Sequence, residues 1–151
     1  MRRLVLGIGV ALLGGCAKTE APPAEPAAAP APAPAPLNLA DVAGTWTVKT
    51  MAEGNDSALV TYSMTATGTT EGWMITLPGR KPMALTVTVS GDSAMTSVGP
   101  YESVLRKGVQ VSTAGVLRLM GGNLMGTTVA HYATKGADSV VRLRVSGTKN
   151  P

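Results

Sequence analysis

Side chains able to act as nucleophiles, bases or metal ligands are scarce in this chain of 151 residues, which holds one cysteine, Cys16, and one histidine, His131. A single cysteine excludes an intramolecular disulfide and a cysteine-based metal cluster, and a single histidine excludes a multi-histidine metal site. A catalytic triad would need His131 beside Asp138 and a serine, yet the sequence has no Gly-x-Ser-x-Gly pattern. We therefore expect no bound metal, no cofactor and no enzymatic activity, with His131 as an ordinary strand residue.

Paired carboxylates are another common catalytic arrangement, because two acids flanking a sugar bond can carry out glycoside hydrolysis. Almost all the acids of the predicted domain sit in or beside turn sequences, where Asp and Glu serve solvation and turn formation. Only Glu102 falls at a predicted strand start. The pattern therefore does not favour a hydrolase. The turn acids are Asp41, Glu53, Asp56, Glu71, Asp92 and Asp138.

Methionine is abundant, with eight residues, whereas phenylalanine is absent. Clustered methionines can ligate Cu(I), but here they are scattered along the predicted strands, so filling of irregular core space is the simpler interpretation. A methionine-lined cavity for an apolar ligand remains a further possibility. The residues concerned are Met51, Met64, Met74, Met83, Met95, Met120 and Met125.

Two basic pairs, Arg80-Lys81 and Arg106-Lys107, fall in predicted turns. At hairpin tips they could contact an anionic glycan, an anionic partner or lipid head groups. The simpler interpretation is that they keep exposed sheet edges soluble.

Residues 1–15 carry positive charge at the start and then an apolar run of about ten residues, too short for a membrane span, which needs roughly 20. The run ends in Leu13-Gly14-Gly15-Cys16, which resembles the lipobox of bacterial lipoprotein signal peptides. The resemblance implies lipidation of the Cys16 thiol, followed by cleavage and acylation of the new amino group. An ordinary secretory signal with a chance cysteine is the alternative.

This resemblance also sets expectations for location and partners. It implies the membrane as a partner, reached through Cys16. In two-membrane bacteria Asp at the second mature position commonly retains a lipoprotein in the inner membrane; Ala17 stands there instead, which implies the outer membrane, facing the periplasm. Loss of Arg2 and Arg3 leaves 11 basic residues against 9 acidic ones, so the net charge falls from +4 to +2. That balance gives no support for a nucleic-acid partner, and the oligomeric state stays open.

Residues 16–40 form the predicted link between anchor and domain. The segment Ala21–Pro36 holds seven prolines and eight alanines, and its Ala-Pro alternation favours an extended polyproline II spacer of about 3.1 Å per residue. A Pro-rich ligand for another domain is the alternative, but the flanking basic or aromatic residues that would favour it are missing.

A two-residue alternation of apolar and polar side chains dominates residues 41–148, the predicted domain. This alternation is typical of antiparallel strands with one buried face, and short turn sequences separate the runs. We predict an all-β fold, a small antiparallel up-and-down β-barrel, with an open sandwich or half-barrel as the alternative. The predicted strands lie near 45–52, 58–67, 72–78, 83–90, 93–98, 102–119 (interrupted at Arg106), 123–133 and 139–147.

The first predicted strand opens with Gly44-Thr45-Trp46. This resembles the Gly-x-Trp motif that opens lipocalin and calycin barrels, in which the Trp closes one end and an Arg from near the last strand packs over it. The resemblance implies these structural roles for Gly44 and Trp46, with Arg142 or Arg144 as the arginine, and it implies a calycin-like barrel.

A barrel of about eight strands has room for packed side chains or for one small ligand. Val60, Tyr62 and Met64 share the apolar face of the second predicted strand, and with Trp73 they are the expected ligand-binding residues. The predicted function is a membrane-anchored binding module for a small apolar or amphipathic ligand, or a lipid, in the cell envelope. The alternative is a solid-core barrel that contacts an envelope protein or the cell wall.

Overall fold

The computed structural model describes residues 35–151. The predicted signal peptide, the lipidation site Cys16 and most of the predicted linker lie outside the described residues. Within them, a nine-stranded antiparallel sheet curves into a nearly closed barrel, so the predicted all-β, up-and-down barrel is confirmed. The elements are helix α1 (Leu39–Val42) and strands β1 (Gly44–Ala52), β2 (Ala58–Ala66), β3 (Met74–Thr76), β4 (Met83–Ala84), β5 (Thr86–Ser90), β6 (Ser93–Glu102), β7 (Gln110–Met120), β8 (Asn123–Tyr132) and β9 (Val140–Lys149), with a 3₁₀ turn at Ala137–Ser139.

The chain itself joins the two edges of this sheet. The strand order is β4-β3-β2-β1-β9-β8-β7-β6-β5, so β4 and β5 are the outermost strands. They are separated in the sequence by Leu85 alone, whose N–H donates to the Trp73 carbonyl at 2.9 Å. Counted together, β4 and β5 form one bent strand, which gives the eight strands expected from the sequence. Closure leaves little free edge on which another chain could add a strand.

The barrel has two unlike ends, which we call the base and the mouth. The chain enters at the base, where the Leu37 N–H donates to the Gly91 carbonyl at 2.9 Å. Leu37 and Leu39 pack against the core, although both fall within the predicted linker 16–40. The base comprises α1, the loop 67–73 and the turns 91–92 and 121–122; the mouth comprises the loops 53–57, 77–82, 103–109 and 133–139.

Two indole rings close the base. Trp46 and Trp73 are 0% and 1% exposed. Their indole N–H groups donate to the carbonyls of Val42 at 2.8 Å and of Thr69 at 2.7 Å, so no polar atom of either ring is left unpaired. Val42 ends the short helix α1 and is itself fully buried, which makes this helix part of the plug.

A lysine lies over the Trp46 ring where the calycin resemblance implied an arginine. Lys149 of β9 pairs with Trp46 of β1, and its Nζ is 5.6 Å from the centre of the indole ring. Gly44 adopts a φ of +136°, and a side chain at this position would meet the stem of Lys149. The glycine therefore makes room for the lysine that covers the plug.

The two arginines implied by the resemblance lie elsewhere. Arg144 donates to Asp56 at 2.7 Å in the loop after β1, and Arg142 is exposed two residues nearer the mouth. In the pairing of β1 with β9, Arg144 lies opposite Met51, which is five residues from Trp46. Neither arginine can therefore pack over the indole ring.

Strand β6 runs further than the sequence suggested. Gly99 and Pro100 read as a strand end, but β6 continues through them to Glu102. The pairing with β7 shifts between Val98 and Tyr101, which is a bulge. Glu102 therefore ends a strand, and the prediction that it starts one is wrong.

Candidate functional site

An internal cavity of about 70 Å³ lies in the half of the barrel nearest the mouth. Its volume is well below the roughly 300 Å³ at which pockets for drug-sized ligands begin, so it can hold only one narrow group. Most of its wall is apolar, and the smaller polar residues Thr50, Ser103, Thr113 and Thr128 also line it. The apolar lining residues include Val60, Ile75, Leu77, Val111, Ala130 and Leu143.

All three tyrosines of the chain, Tyr62, Tyr101 and Tyr132, line this cavity. Burial raises the pKa of Tyr62 far above its ordinary value, and the neighbouring Tyr101 adds to the shift. Burial also raises the pKa of Tyr101; a hydrogen bond with Thr113 opposes that shift and Tyr132 adds to it. The hydroxyl groups of Tyr62 and Tyr101 are therefore protonated at neutral pH, and a protonated hydroxyl group can donate a hydrogen bond to a polar atom of a ligand.

The four residues predicted to bind a ligand divide into two groups. Val60 and Tyr62 line the cavity, whereas Met64 borders a smaller void of about 30 Å³. Trp73 belongs to the plug at the base and borders neither space. Two of the four side chains are thus brought together at the cavity.

The loop 103–109, which we call the lid, connects β6 and β7 at the mouth. Ser103, its first residue, is buried, and its Oγ accepts hydrogen bonds from the N–H groups of Leu105 and Arg106, both at 3.0 Å. A hydroxyl oxygen that accepts from the amides two and three residues later holds a turn in one conformation. The start of the lid is therefore fixed from inside the barrel.

Two apolar side chains of the lid reach the cavity. Val104 and Leu105 border it while remaining 38% and 44% exposed to solvent. Beside them, Arg106 lies over the ring of Tyr132 and its Nη1 donates to the Asp138 carbonyl at 2.9 Å. Arg106 thereby links the lid to the neighbouring loop 133–139.

Both basic pairs lie at the mouth, on its loops. Arg80 and Lys81 belong to the loop 77–82, and Arg106 and Lys107 belong to the lid. The prediction that they occupy connections between strands is confirmed, and the fold places the two pairs at the same end of the barrel.

Comparison with protein-family models, with curated proteins and with solved structures finds no match. The barrel-shaped antiparallel fold is compatible with a calycin-like domain. Among residues 35–151, no helix combines the length and the hydrophobicity needed to cross a membrane.

The residues considered for catalysis do not meet in one place. His131 is exposed on the outer face of β8, between Ser112 of β7 and Val140 of β9. Asp138 lies in the 3₁₀ turn at the mouth, where its backbone carbonyl binds Arg106. In the part of the chain that the structure describes, no three His, Cys, Asp or Glu side chains are grouped so that they could hold a metal.

The methionines do not share one role. Met64 is buried in the core, but Met95, Met120 and Met125 are 48%, 59% and 43% exposed on β6, β7 and β8. Interpretation of these three as core filler is wrong, because they occupy positions that face away from the barrel interior.

Sequence reasoning missed Tyr101, Tyr132 and the lid residues Val104 and Leu105 as lining of the cavity. Tyr132 continues the inward series of β8 that includes Ala130, so the alternation alone could have found it. The other three follow the bulge in β6 or sit in a loop, where alternation carries no information.

Proposed function

We propose that the protein is a lipid-anchored lipoprotein of the cell envelope whose barrel binds a small apolar or amphipathic ligand at its mouth, without a catalytic step. The observation that carries the proposal is the cavity lined by Tyr62, Tyr101 and Tyr132. It is a mostly apolar space with tyrosine hydroxyl groups, toward one end of a barrel whose other end is closed by Trp46 and Trp73. An apolar pocket with a few convergent polar groups is the usual form of a small-molecule site.

The size of the cavity limits what enters it. About 70 Å³ takes the end of a hydrocarbon chain or one small ring, and it does not take a whole lipid. The remainder of a larger ligand would lie outside, between the lid and the loop 77–82. The proposed ligand is therefore narrow at the end that enters.

The anchor is proposed from the sequence, through Cys16 and the preceding Leu13-Gly14-Gly15. The chain joins the barrel at the base, where Leu37 is fixed to Gly91. The cavity lies toward the opposite end, so a tether at the base leaves the mouth accessible. With Ala17 in the second mature position, we place the protein at the outer membrane, facing the periplasm.

Titration of the full-length chain with 1-octanol, followed by NMR amide shifts, tests ligand binding. The chain carries Cys16→Ser, so that acyl groups of its own do not compete for the cavity. We expect saturable shifts at Tyr62 and Val104 and none at Trp46. Shifts spread evenly over the surface, or no shifts, would contradict binding at the mouth.

A matched pair of alanine variants locates the binding event. Ala130 lines the cavity, so Ala130→Leu fills it, whereas Ala114→Leu adds the same bulk on the exposed outer face of β7. We expect Ala130→Leu to weaken octanol binding by about tenfold or more, equivalent to about 1.4 kcal/mol, and Ala114→Leu to leave it unchanged. Thermal melts of both variants confirm that each is folded.

Labelling of the natural bacterium with [³H]palmitate tests the anchor separately. The wild-type chain should incorporate label and the Cys16→Ser chain should not. Equal labelling of both chains would refute lipidation at Cys16.

The second candidate function is an interaction lipoprotein with a solid barrel. The small cavity and the exposed apolar lid residues Val104 and Leu105 favour it, because both suit contact with another envelope component through the mouth. Absence of octanol binding in the titration would select this candidate over the first.

A further inference from the structure

Two cations line one groove beside the cavity. Arg80 of the loop 77–82 and Lys107 of the lid line an open groove of about 640 Å³ between these loops. Glu102 is the one acid along this groove, and its Oε1 already accepts a hydrogen bond from the Gly108 N–H at 3.0 Å. The groove therefore carries more positive than negative charge.

These cations have no carboxylate of their own. Residues 35–151 contain two ion pairs, Arg118 with Asp92 at the base and Arg144 with Asp56 on another loop of the mouth. Arg80 and Lys107 take part in neither. A positive site without an internal partner is available to an anion from solution.

The groove lies next to the cavity. Ser103 and Val104 line both of them, so the lid forms a shared wall. The positive charge of Arg80 also acts on Tyr101, where it opposes the rise in pKa that burial causes. We call Arg80 and Lys107 the basic rim. A molecule with its apolar end among the tyrosines would therefore have its other end at the cations.

A second open groove continues this positive rim. It is lined by Arg80 and Lys81 without an acid among its lining residues, and it shares Tyr62 and Leu77 with the cavity. The positive charge thus lies on both sides of the loop 77–82. The apolar interior suits the apolar end of an elongated molecule, and the basic rim suits an anionic group at its other end.

We infer that the ligand is an anionic amphiphile whose narrow apolar end occupies the cavity while its carboxylate or phosphate group is held at the mouth by Arg80 and Lys107. The inference rests on the proposed function, since it specifies what binds at the same site. Arg suits either anion through a paired, planar contact, and Lys contributes a point charge. Lys107 is exposed and Arg80 is half-buried, so water reaches both groups, each contributes modestly, and the attraction weakens with added salt.

Four octyl compounds with one tail and different head groups test this inference: octyl phosphate, octanoate, 1-octanol and octylammonium. Each is titrated into the full-length Cys16→Ser chain at low ionic strength, and the amide shifts of Tyr101 and Val104 are followed by NMR. We expect the two anions to bind about three- to tenfold more tightly than octanol, and octylammonium to bind most weakly. Inorganic phosphate alone is titrated as well, because it tests whether the tail is needed.

A charge-matched pair of double variants assigns the effect to the rim. Arg80→Gln with Lys107→Gln removes the two rim cations. Lys49→Gln with Arg142→Gln removes one lysine and one arginine from exposed positions of β1 and β9. We expect the rim variant to bind octyl phosphate and octanol equally, and the control variant to retain the preference for the anion.

The possible outcomes distinguish this inference from the proposed ligand-binding function on which it rests. Octanol binding equal to that of the anions in the wild-type chain would overturn the inference and leave the ligand-binding function standing. Failure of all four compounds to bind would overturn both. If inorganic phosphate bound as tightly as octyl phosphate, the apolar tail would not be needed. That result would overturn the inference of an amphiphilic ligand and leave a simple anion site.

Discussion

The guanidinium carbon of Arg106 lies 4.0 Å from the centre of the Tyr132 ring, so a lid residue rests directly on a wall of the cavity. The same guanidinium group donates to the Asp138 carbonyl at 2.9 Å. A cation over an aromatic face and a charged hydrogen bond are both favourable, although each is weakened where water reaches it. Arg106 thus links the lid to the neighbouring loop 133–139.

Replacement of Arg106 by alanine should loosen the lid without unfolding the barrel. Loss of both contacts is expected to raise hydrogen exchange at the Leu105 amide by about three- to tenfold, equivalent to about 0.6–1.4 kcal/mol of local opening. Hydrogen–deuterium exchange read by NMR measures this. Lys135→Ala, an exposed substitution in the loop 133–139, serves as the control and should leave the exchange unchanged. Equal acceleration in both variants would contradict a specific role for Arg106.

Ser103→Ala should cost more stability than a surface serine. Its Oγ is the acceptor for two backbone N–H groups of the lid, and the residue is buried. Loss of this acceptor should lower the free energy of unfolding by about 1–3 kcal/mol, measured by urea denaturation. Ser97→Ala, on the exposed outer face of β6, should change it by less than about 0.5 kcal/mol. A similar loss in both variants would show that the Ser103 bonds do not stabilise the fold.

The buried tyrosines predict that stability falls at alkaline pH. The pKa values of Tyr62 and Tyr101 are raised in the folded state, chiefly by burial, so their hydroxyl groups keep their protons when those of the unfolded chain are lost. Stability is therefore complete below about pH 10, the ordinary value, and falls above it by up to about 1.4 kcal/mol per pH unit for each tyrosine.

Tyr62→Phe provides the test, by urea denaturation between about pH 9 and about pH 11.5. The variant removes one ionisable group from the cavity, so its stability should fall less steeply with pH than that of the wild-type chain. Parallel slopes for the two chains would contradict the raised pKa of Tyr62. A second variant, Tyr101→Phe, should also reduce the slope, because burial raises the pKa of Tyr101 as well.

Gly126→Ala should disrupt the pairing of β7 and β8. A Cβ atom at Gly126 would lie against the Val116 carbonyl oxygen and within 3.1 Å of the Leu117 Cα, all of it backbone that cannot move aside. The expected loss is about 2 kcal/mol or more of unfolding free energy, as for overpacked interiors. Gly68→Ala is the control, since its nearest neighbour would be 3.9 Å away, and its thermal midpoint should stay near that of the wild-type chain.

The alternation of side chains was sufficient to predict the barrel. Val60, Tyr62 and Met64 point inward from β2 as their even positions require, and the runs separated by short turns pair with their neighbours in the sequence. The alternation within a single strand predicts which of its side chains face inward, because each strand has one face toward the core. Closure of the barrel was predicted from the same pattern. An open sheet of consecutive strands has two exposed edge strands, and closure covers both.

The mouth could not be predicted in the same way. The inward positions of β6 change from even at Ala94 to odd at Tyr101 because of the bulge at Gly99 and Pro100, and only the pairing with β7 reveals that change. The Lys149 contact with Trp46 likewise depends on the register of β9, which no local pattern encodes. Long-range pairing, rather than residue type, decides both.

The pairing of the first and last strands determines how the barrel would bear a mechanical load. β1 is hydrogen-bonded along both sides, to β2 and to β9, and it begins at the base, where the chain enters. A pull between the N-terminal segment and a molecule held at the mouth would act along the length of β1. The hydrogen bonds on both sides of β1 would then be loaded together, in shear, and would not break one after another. The force needed to extract β1 in this direction should therefore be high.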